Sequence, residues 1–297
     1  MNIKKFAEKM QAAVAASLNK EVCLEEKLKF NGTYSYVIVV TDTENDLSPY
    51  IYLEPFFEKF QIDNSIEAAA DSIISAYQQN KLKKPVSMKW LRDFSQARDK
   101  IFYFLINYEA NRKLLEYLPH FRYLDLAMVF GVRYSLDDSR PGSITLYHSH
   151  LDIWNTTADE LMSLAKKNTP RLCPVRISNL SDHIPGNGSI PSPGDSDSLP
   201  EPLAEMYVLS NTYGTYGAAA ICYENTLKGF STLMDADILI LPESIHQAVL
   251  VPLKKDGNIT FYKDMFRSSS EAYPNPQEFL SGHPYIYKRS SGQVETA

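Results

Sequence analysis

Two β-rich runs near the start of the chain decide the fold: residues 22–30 read VCLEEKLKF and residues 34–41 read YSYVIVVT. The dipeptide Asn31-Gly32 joins them, and this pair supplies the positive backbone angles that a tight hairpin turn needs. Ahead of the first run, apolar residues between Ile3 and Leu18 recur at the spacing of an amphipathic helix. The pattern predicts a helix that packs on an antiparallel sheet.

The same mixture of periodicities continues along the chain. Helical patterns cover residues 54–60, 65–79, 87–117 and a segment capped by Thr156 or Thr157, and strand patterns cover residues 124–134, 143–148, 206–210, 238–241 and 248–253. These patterns predict the α+β class, with helices packed on an antiparallel or mixed sheet and a smaller C-terminal α+β module.

One segment of the chain has the composition of a linker. Between Pro185 and Pro202, twelve of eighteen residues are Pro, Gly or Ser. Such a stretch buries almost no apolar surface and is typical of a flexible linker or a long surface loop. We therefore expect an N-terminal α+β region over residues 1–184, a linker over 185–202 and a C-terminal α+β module over 203–297.

Composition and charge exclude several classes of protein. The chain has 297 residues, of which 30 are basic and 36 acidic, for a net charge of -6. A broad basic surface for nucleic acid is therefore not expected.

No secretion signal is visible at the N-terminus, and no run of about eighteen apolar residues predicts a membrane span. Three cysteines, an odd number, fit reduced thiols better than a disulfide framework, so we expect a cytoplasmic protein.

The segment Leu241–Gln247, LPESIHQ, is the first candidate for chemistry. A serine and a histidine at the end of a strand, with Glu243 beside them, are the residue types of nucleophilic catalysis. Ser244, His246 and Glu243 are therefore candidate catalytic residues. Asn211 from the adjoining strand is an alternative to Glu243 as the residue that assists Ser244 and His246. No Gly-x-Ser-x-Gly turn surrounds Ser244, and a first helical turn with Ser244 bonded to backbone is the alternative.

The segment Asn211–Gly217, NTYGTYG, follows a strand and contains two glycines. It lacks the glycine spacing and the basic residue of a phosphate-binding loop, and no cofactor is predicted here or elsewhere. Asn211, Tyr213 and Tyr216 are candidate binding residues. A β-turn with aromatic packing is the alternative interpretation.

The segment His148–Asp152, HSHLD, is a candidate metal site. On a strand, His148, His150 and Asp152 would project from one face, where imidazole and carboxylate could act as ligands. The alternative is a polar strand end that leads into a turn.

Several separated blocks of the sequence resemble one known family: SPYIYLE at residues 48–54, LINYEAN at 105–111, YLDLA at 123–127, NTP at 168–170, MYVLSN at 206–211, YGAA at 216–219 and LPESIH at 241–246. The family consists of uncharacterised bacterial cytosolic proteins that are known only as a domain of unknown function. The resemblance runs nearly from end to end and implies no activity.

Two functional hypotheses follow. The first is a non-enzymatic cytoplasmic protein that acts through contacts with another protein, favoured by the surplus of nineteen tyrosines and the lack of a complete catalytic motif. The second is a hydrolase-type enzyme with its site around Ser244 and His246.

Overall fold

The computed structural model describes residues 1–41, 48, 50–80, 87–137, 140–183, 205–253, 259–271 and 275–297. The chain divides into two compact units, Met1–Phe94 and Ser95–Ala297. None of the helices among the described residues is both long and apolar enough to cross a membrane.

The first unit places helices against a three-stranded antiparallel sheet of order β1-β2-β3. Its elements are α1 (Ile3–Leu18), β1 (Val22–Leu28), β2 (Tyr34–Val40), β3 (Tyr50–Tyr52), α2 (Glu54–Asp63), α3 (Ile66–Asn80) and a 3-10 turn at Lys89–Arg92. A 3-10 turn at Phe30–Gly32 connects β1 to β2, with φ of 58° at Asn31 and 68° at Gly32. The predicted hairpin is confirmed.

The core of the first unit lies between α1 and the sheet. Phe6, Met10 and Val14 of α1 are fully buried, as is Ile38 of β2. These α1 residues lie on one face of the helix because they are three or four positions apart. The amphipathic helix predicted from the sequence is confirmed.

The second unit contains two antiparallel sheets. Its elements are α4 (Phe94–Ala97), β4 (Ile101–Asn107), α5 (Arg112–Leu115), β5 (His120–Tyr123), β6 (Leu126–Asp137), β7 (Arg140–Thr145), α6 (His148–Trp154), α7 (Ala158–Leu172), β8 (Val175–Asn179), β9 (Tyr207–Asn211), α8 (Thr226–Met234), β10 (Asp237–Ser244), β11 (Gln247–Leu253), α9 (Ile259–Glu271), β12 (Tyr285–Lys288) and β13 (Gln293–Thr296), with 3-10 turns at Arg98–Lys100, Leu180–His183 and Gly217–Cys222.

The two sheets of this unit differ in size. In the smaller one, β4, β5 and β7 all pair with the long strand β6, and the larger one has the order β13-β12-β10-β11-β9-β8. All of the strand pairs are antiparallel. The predicted α+β class is therefore confirmed, with antiparallel sheets.

The predicted helical segment over residues 87–117 is wrong in its middle, because residues 101–107 form β4. Every residue from Ile101 to Ile106 is buried. A strand that is buried on both faces shows a continuous apolar run, and periodicity alone does not separate such a run from a buried helix.

The block Asn168-Thr169-Pro170 attaches α7 to the outer edge of β4. The backbone N–H of Tyr103, which points away from β6, donates to Thr169 Oγ1 at 3.0 Å. Thr169 Oγ1 in turn donates to the carbonyl of Ala165 at 2.6 Å, and Asn168 Nδ2 donates to the carbonyl of Arg98 at 2.9 Å. The Thr169 side chain thus satisfies a buried backbone group of the edge strand β4, and Asn168 bonds to the 3-10 turn just before that strand.

The predicted linker, residues 185–202, lies outside the described residues. The strands on either side of it, β8 and β9, pair with each other over five residues. The contact-based division instead falls between Phe94 and Ser95. The division of the chain at residues 184 and 203 stays a prediction.

Candidate functional site

The segment Leu241–Gln247 forms the connection between β10 and β11. Strand β10 continues to Ser244 and β11 begins at Gln247, so the alternative of a first helical turn is wrong. Apolar residues on both sides keep the chain in the sheet, and Ser244 pairs with Gln247 across the turn. Ser244 Oγ accepts a hydrogen bond from the backbone N–H of His246 at 3.1 Å, a local bond that stabilises the turn.

The ring of His246 is held by a backbone amide from another part of the chain. The N–H of Tyr216 donates to His246 Nδ1 at 3.1 Å, and Nε2 lies 3.7 Å from Glu278 Oε1. Since a backbone amide only donates, Nδ1 must be the acceptor, and the proton of the neutral ring is on Nε2, the side of Glu278.

The three predicted catalytic residues therefore bind different partners. Ser244 Oγ bonds to an amide, His246 Nδ1 accepts from the Tyr216 amide, and Glu243 Oε2 accepts from Gln247 Nε2 at 2.7 Å. Within the described part of the chain no hydrogen bond joins Ser244 Oγ to the His246 ring. The catalytic role of these residues stays a prediction, and the geometry in hand is that of a braced turn.

A glycine allows β9 and this turn to meet. A Cβ atom on Gly217 would lie 2.2 Å from Ser210 Oγ, 2.5 Å from the His246 carbonyl oxygen and 2.6 Å from the Asn211 nitrogen. Ser210 Oγ donates to that same carbonyl at 2.8 Å. The ring of Tyr216, the residue before the glycine, packs 4.3 Å from the ring of Phe104 in β4.

Residues Thr212–Tyr216 form an exposed loop after β9, which we call the Tyr213 loop. Asn211 is only 3% exposed and braces it from below: its Oδ1 accepts from the Tyr213 amide at 2.9 Å and its Nδ2 donates to the Thr215 carbonyl at 2.7 Å. Gly214 and Tyr216 take positive φ values of 68° and 57°. Tyr213 itself is 50% exposed. Of the three predicted binding residues, only Tyr213 projects into solvent.

The sequence did not indicate Arg133 of β6, which contacts this loop. Its guanidinium carbon lies 3.9 Å from the centroid of the Tyr213 ring, a cation–π distance. Its Nη1 also donates to Cys173 Sγ at 2.8 Å. Burial raises the pKa of the Cys173 thiol, and the charge of Arg133 opposes that shift. Glu278, beside His246, was missed as well, since no spacing in the sequence links either residue to the loop.

The candidate metal ligands lie on a helix, so their expected placement on a strand is wrong. His148–Trp154 forms α6, where the His150 Nδ1 accepts from the Tyr147 amide at 3.0 Å and closes the first turn. At about 100° per residue, His150 points to a different side from His148 and Asp152. No cluster of three potential metal ligands occurs among the residues that the structure describes.

A second polar cluster surrounds Asp125, inside the YLDLA block. Its Oδ1 accepts from the hydroxyl of the fully buried Tyr285 at 2.5 Å, and its Oδ2 accepts from Ser281 Oγ at 2.7 Å. Burial, and then the bond to Asp125, raise the pKa of Tyr285 above its usual range. This cluster joins the turn before β6 to β12 and is a structural brace.

Comparison with protein families identifies a family that covers most of the chain. A model described as "Family of unknown function (DUF5688)" matches residues 3–289, almost the whole chain. Comparison with curated proteins and comparison with solved structures each gave no significant match. The predicted membership in a family that is defined by a domain of unknown function is confirmed.

Proposed function

We propose that this chain, which belongs to the family of unknown function DUF5688, is a binding protein that recognises another protein through its Tyr213 loop. We place it in the cytoplasm of a bacterium and assign it no cofactor. Its three cysteines are free thiols, which suits a reducing compartment.

One observation carries the proposal: an exposed aromatic side chain stands on a loop that the protein already holds in one conformation. Two hydrogen bonds from the buried Asn211 side chain fix the loop on the inside, and the Tyr216 amide is fixed on His246. Ordering a free loop costs about 1–2 kcal/mol per residue, so a braced loop avoids much of that cost on binding. Tyrosine on such a loop presents a large contact area with few rotatable bonds.

The stacking of Arg133 on Tyr213 supports the same proposal. Arginine and tyrosine are enriched at protein interfaces and among the residues that contribute most to binding. The contact also limits the rotamers of both side chains in the unbound protein. A partner would therefore meet a preformed pair, a planar cation over an aromatic ring.

The hydrolase-type enzyme around Ser244 and His246 is the alternative proposal. It requires Ser244 Oγ to leave the His246 amide and to reach a base. Labelling by a fluorophosphonate that is lost in Ser244→Ala would support the hydrolase. Equal labelling of the two proteins, or none, would remove it.

A photo-crosslinking amino acid at position 213 tests the binding proposal in the cell. Position 147 is the matched control, because Tyr147 is also an exposed tyrosine, at 41% against 50% for Tyr213. We expect a discrete adduct from position 213 and not from position 147, and we expect Asn211→Ala to abolish it by releasing the loop. The same adducts from both positions, or none from position 213, would contradict the proposal.

A further inference from the structure

Among the strands that the structure describes, β8 is the last of the six-stranded sheet, and every second residue of β8 directs its backbone groups outward. The Thr212 amide donates to the Pro174 carbonyl at 2.9 Å and the Leu180 amide donates to the Met206 carbonyl at 2.9 Å. Together with the residue pairing of β8 and β9, these two bonds determine which residues of β8 direct their backbone N–H and C=O groups toward β9. The N–H and C=O groups of Val175, Ile177 and Asn179 therefore point away from β9.

Among the residues that the structure describes, the outward groups of Val175 and Ile177 and the outward N–H of Asn179 have no hydrogen-bond partner, while the Asn179 carbonyl faces the 3-10 turn Leu180–His183. The contrast with β4 is direct, because there the outward Tyr103 amide is bonded by Thr169 of α7. The side chain of Val175 is 41% exposed as well, on a strand where an apolar edge invites pairing. Strand β8 thus offers main-chain groups and an apolar side chain together.

The edge and the Tyr213 loop are adjacent. The bond from the Thr212 amide to the Pro174 carbonyl ties the first residue of the loop to the residue just before β8. A segment paired with β8 would end beside Tyr213 and Arg133. The same partner can therefore contact both surfaces.

Charge and side-chain alternation indicate what kind of segment fits. Val175 and Ile177 lie on one face of β8, and Arg176, which is exposed, lies on the other face between them. Directly opposed side chains of neighbouring strands share a face and interact. An added strand would therefore place apolar residues opposite Val175 and Ile177 and an acidic residue opposite Arg176. A second copy of this chain would bring another Arg176 to the edge, which favours a different, acidic partner.

We propose that β8 binds an extended segment of the partner, in which apolar and acidic residues alternate, as a seventh strand of the sheet. Main-chain hydrogen bonds to Val175, Ile177 and Asn179 hold the segment, and a carboxylate opposite Arg176 selects it. This inference rests on the proposed function and adds the class of partner.

A phage-displayed library of random twelve-residue peptides, selected on the full chain, tests the inference. We expect enriched peptides that alternate apolar and acidic residues. Val175→Pro removes one outward N–H without breaking a bond to β9. It should therefore lower the affinity for a synthetic peptide of this type about tenfold or more. Val294→Pro is the matched control, since Val294 holds an outward position on the opposite edge strand, β13, and should leave binding unchanged.

The outcomes separate this inference from the proposed function. If the enriched peptides no longer bind the Tyr213→Ala variant but still bind the Val175→Pro variant, the added seventh strand is wrong, while the proposed binding through the Tyr213 loop is supported. No enrichment, or enrichment of basic peptides, would also overturn the inference, as would a dimer of the chain that Val175→Pro converts to monomer. If Val175→Pro does not fold, N-methylation of alternate peptide amides makes the same test on the unaltered protein, with a similar loss expected.

Discussion

Replacing Gly217 by alanine tests the packing that places the Tyr213 loop. The added Cβ would meet Ser210 Oγ, the His246 carbonyl oxygen and the Asn211 nitrogen at 2.2, 2.5 and 2.6 Å, all far inside van der Waals contact. Two of these atoms are backbone, so rotation of one side chain does not relieve the contact. The end of β9 or the β10–β11 turn must move.

The expected cost follows from these contacts. Overpacking of a close-packed site costs about 1–3 kcal/mol, and the Ser210 to His246 hydrogen bond that would be disturbed contributes about 1 kcal/mol. We therefore expect Gly217→Ala to lower the free energy of unfolding by about 2–4 kcal/mol. The backbone angles of Gly217 add nothing to this cost, because its φ is not in the positive range.

Gly229→Ala is the matched control. Gly229 lies within α8, and a Cβ atom there would meet nothing within 4 Å. Alanine in a helix is more stable than glycine by about 0.5–1 kcal/mol. The same chemical change should thus stabilise the protein at one position and destabilise it at the other.

The two tryptophans of the chain allow a selective measurement. Trp90 belongs to the first compact unit and the buried Trp154 to the second, which also contains Gly217. In a Trp90→Phe background, urea unfolding followed by Trp154 fluorescence reports the second unit. A loss below about 1 kcal/mol in Gly217→Ala, or a loss equal in Gly229→Ala, would refute the reasoning.

Three further predictions concern single groups. Thr169→Val should cost about 1–3 kcal/mol, measured by urea unfolding, because the buried Tyr103 amide loses its acceptor, whereas Thr169→Ser keeps the hydroxyl and should cost less. Burial raises the pKa of Tyr103, Tyr123, Tyr223 and Tyr285 far above the ordinary value, so stability should fall as the pH rises above about 10. A titration at 295 nm should show these four tyrosines ionising only on unfolding. Burial lowers the pKa of His150 from its ordinary value, so the stability that its neutral ring provides should be lost as the pH falls below about 6.5. An NMR titration should place the His150 midpoint below about 6.5, the ordinary value for histidine, and a midpoint at or above that value would contradict this reasoning.

Features that depend on neighbouring residues could be predicted from the sequence. The hairpin at Asn31-Gly32 follows from backbone angles that few other dipeptides adopt, and α1 follows from its apolar spacing. The Thr157 cap of α7 is also local, because its hydroxyl accepts from the Glu160 amide three residues later. The predicted type of secondary structure was wrong where the local sequence does not distinguish a strand from a helix. The run that forms β4 is almost entirely apolar, and His148–Asp152 carries no strong preference for strand or helix.

The candidate site was only half visible in the sequence. The segments Asn211–Gly217 and Leu241–Gln247 were both singled out, but the bond from the Tyr216 amide to His246 Nδ1 spans 30 residues and gives the histidine a role that spacing does not show. Arg133 reaches Tyr213 from a strand 80 residues earlier. No pattern in the sequence includes both Arg133 and Tyr213.

For this protein the sequence alone determined the α+β class, the family and the two segments that meet at the site. Turn angles, helix caps and apolar periodicity are interactions over a few residues, so they can be recognised without knowing the rest of the fold. Only the tertiary structure decided which groups bond to which: Ser244 to an amide, Asn211 beneath the loop, Tyr213 against Arg133, and β8 at an edge. Those choices depend on which distant strands come within about 3–4 Å of one another, and that depends on the packing of the whole unit.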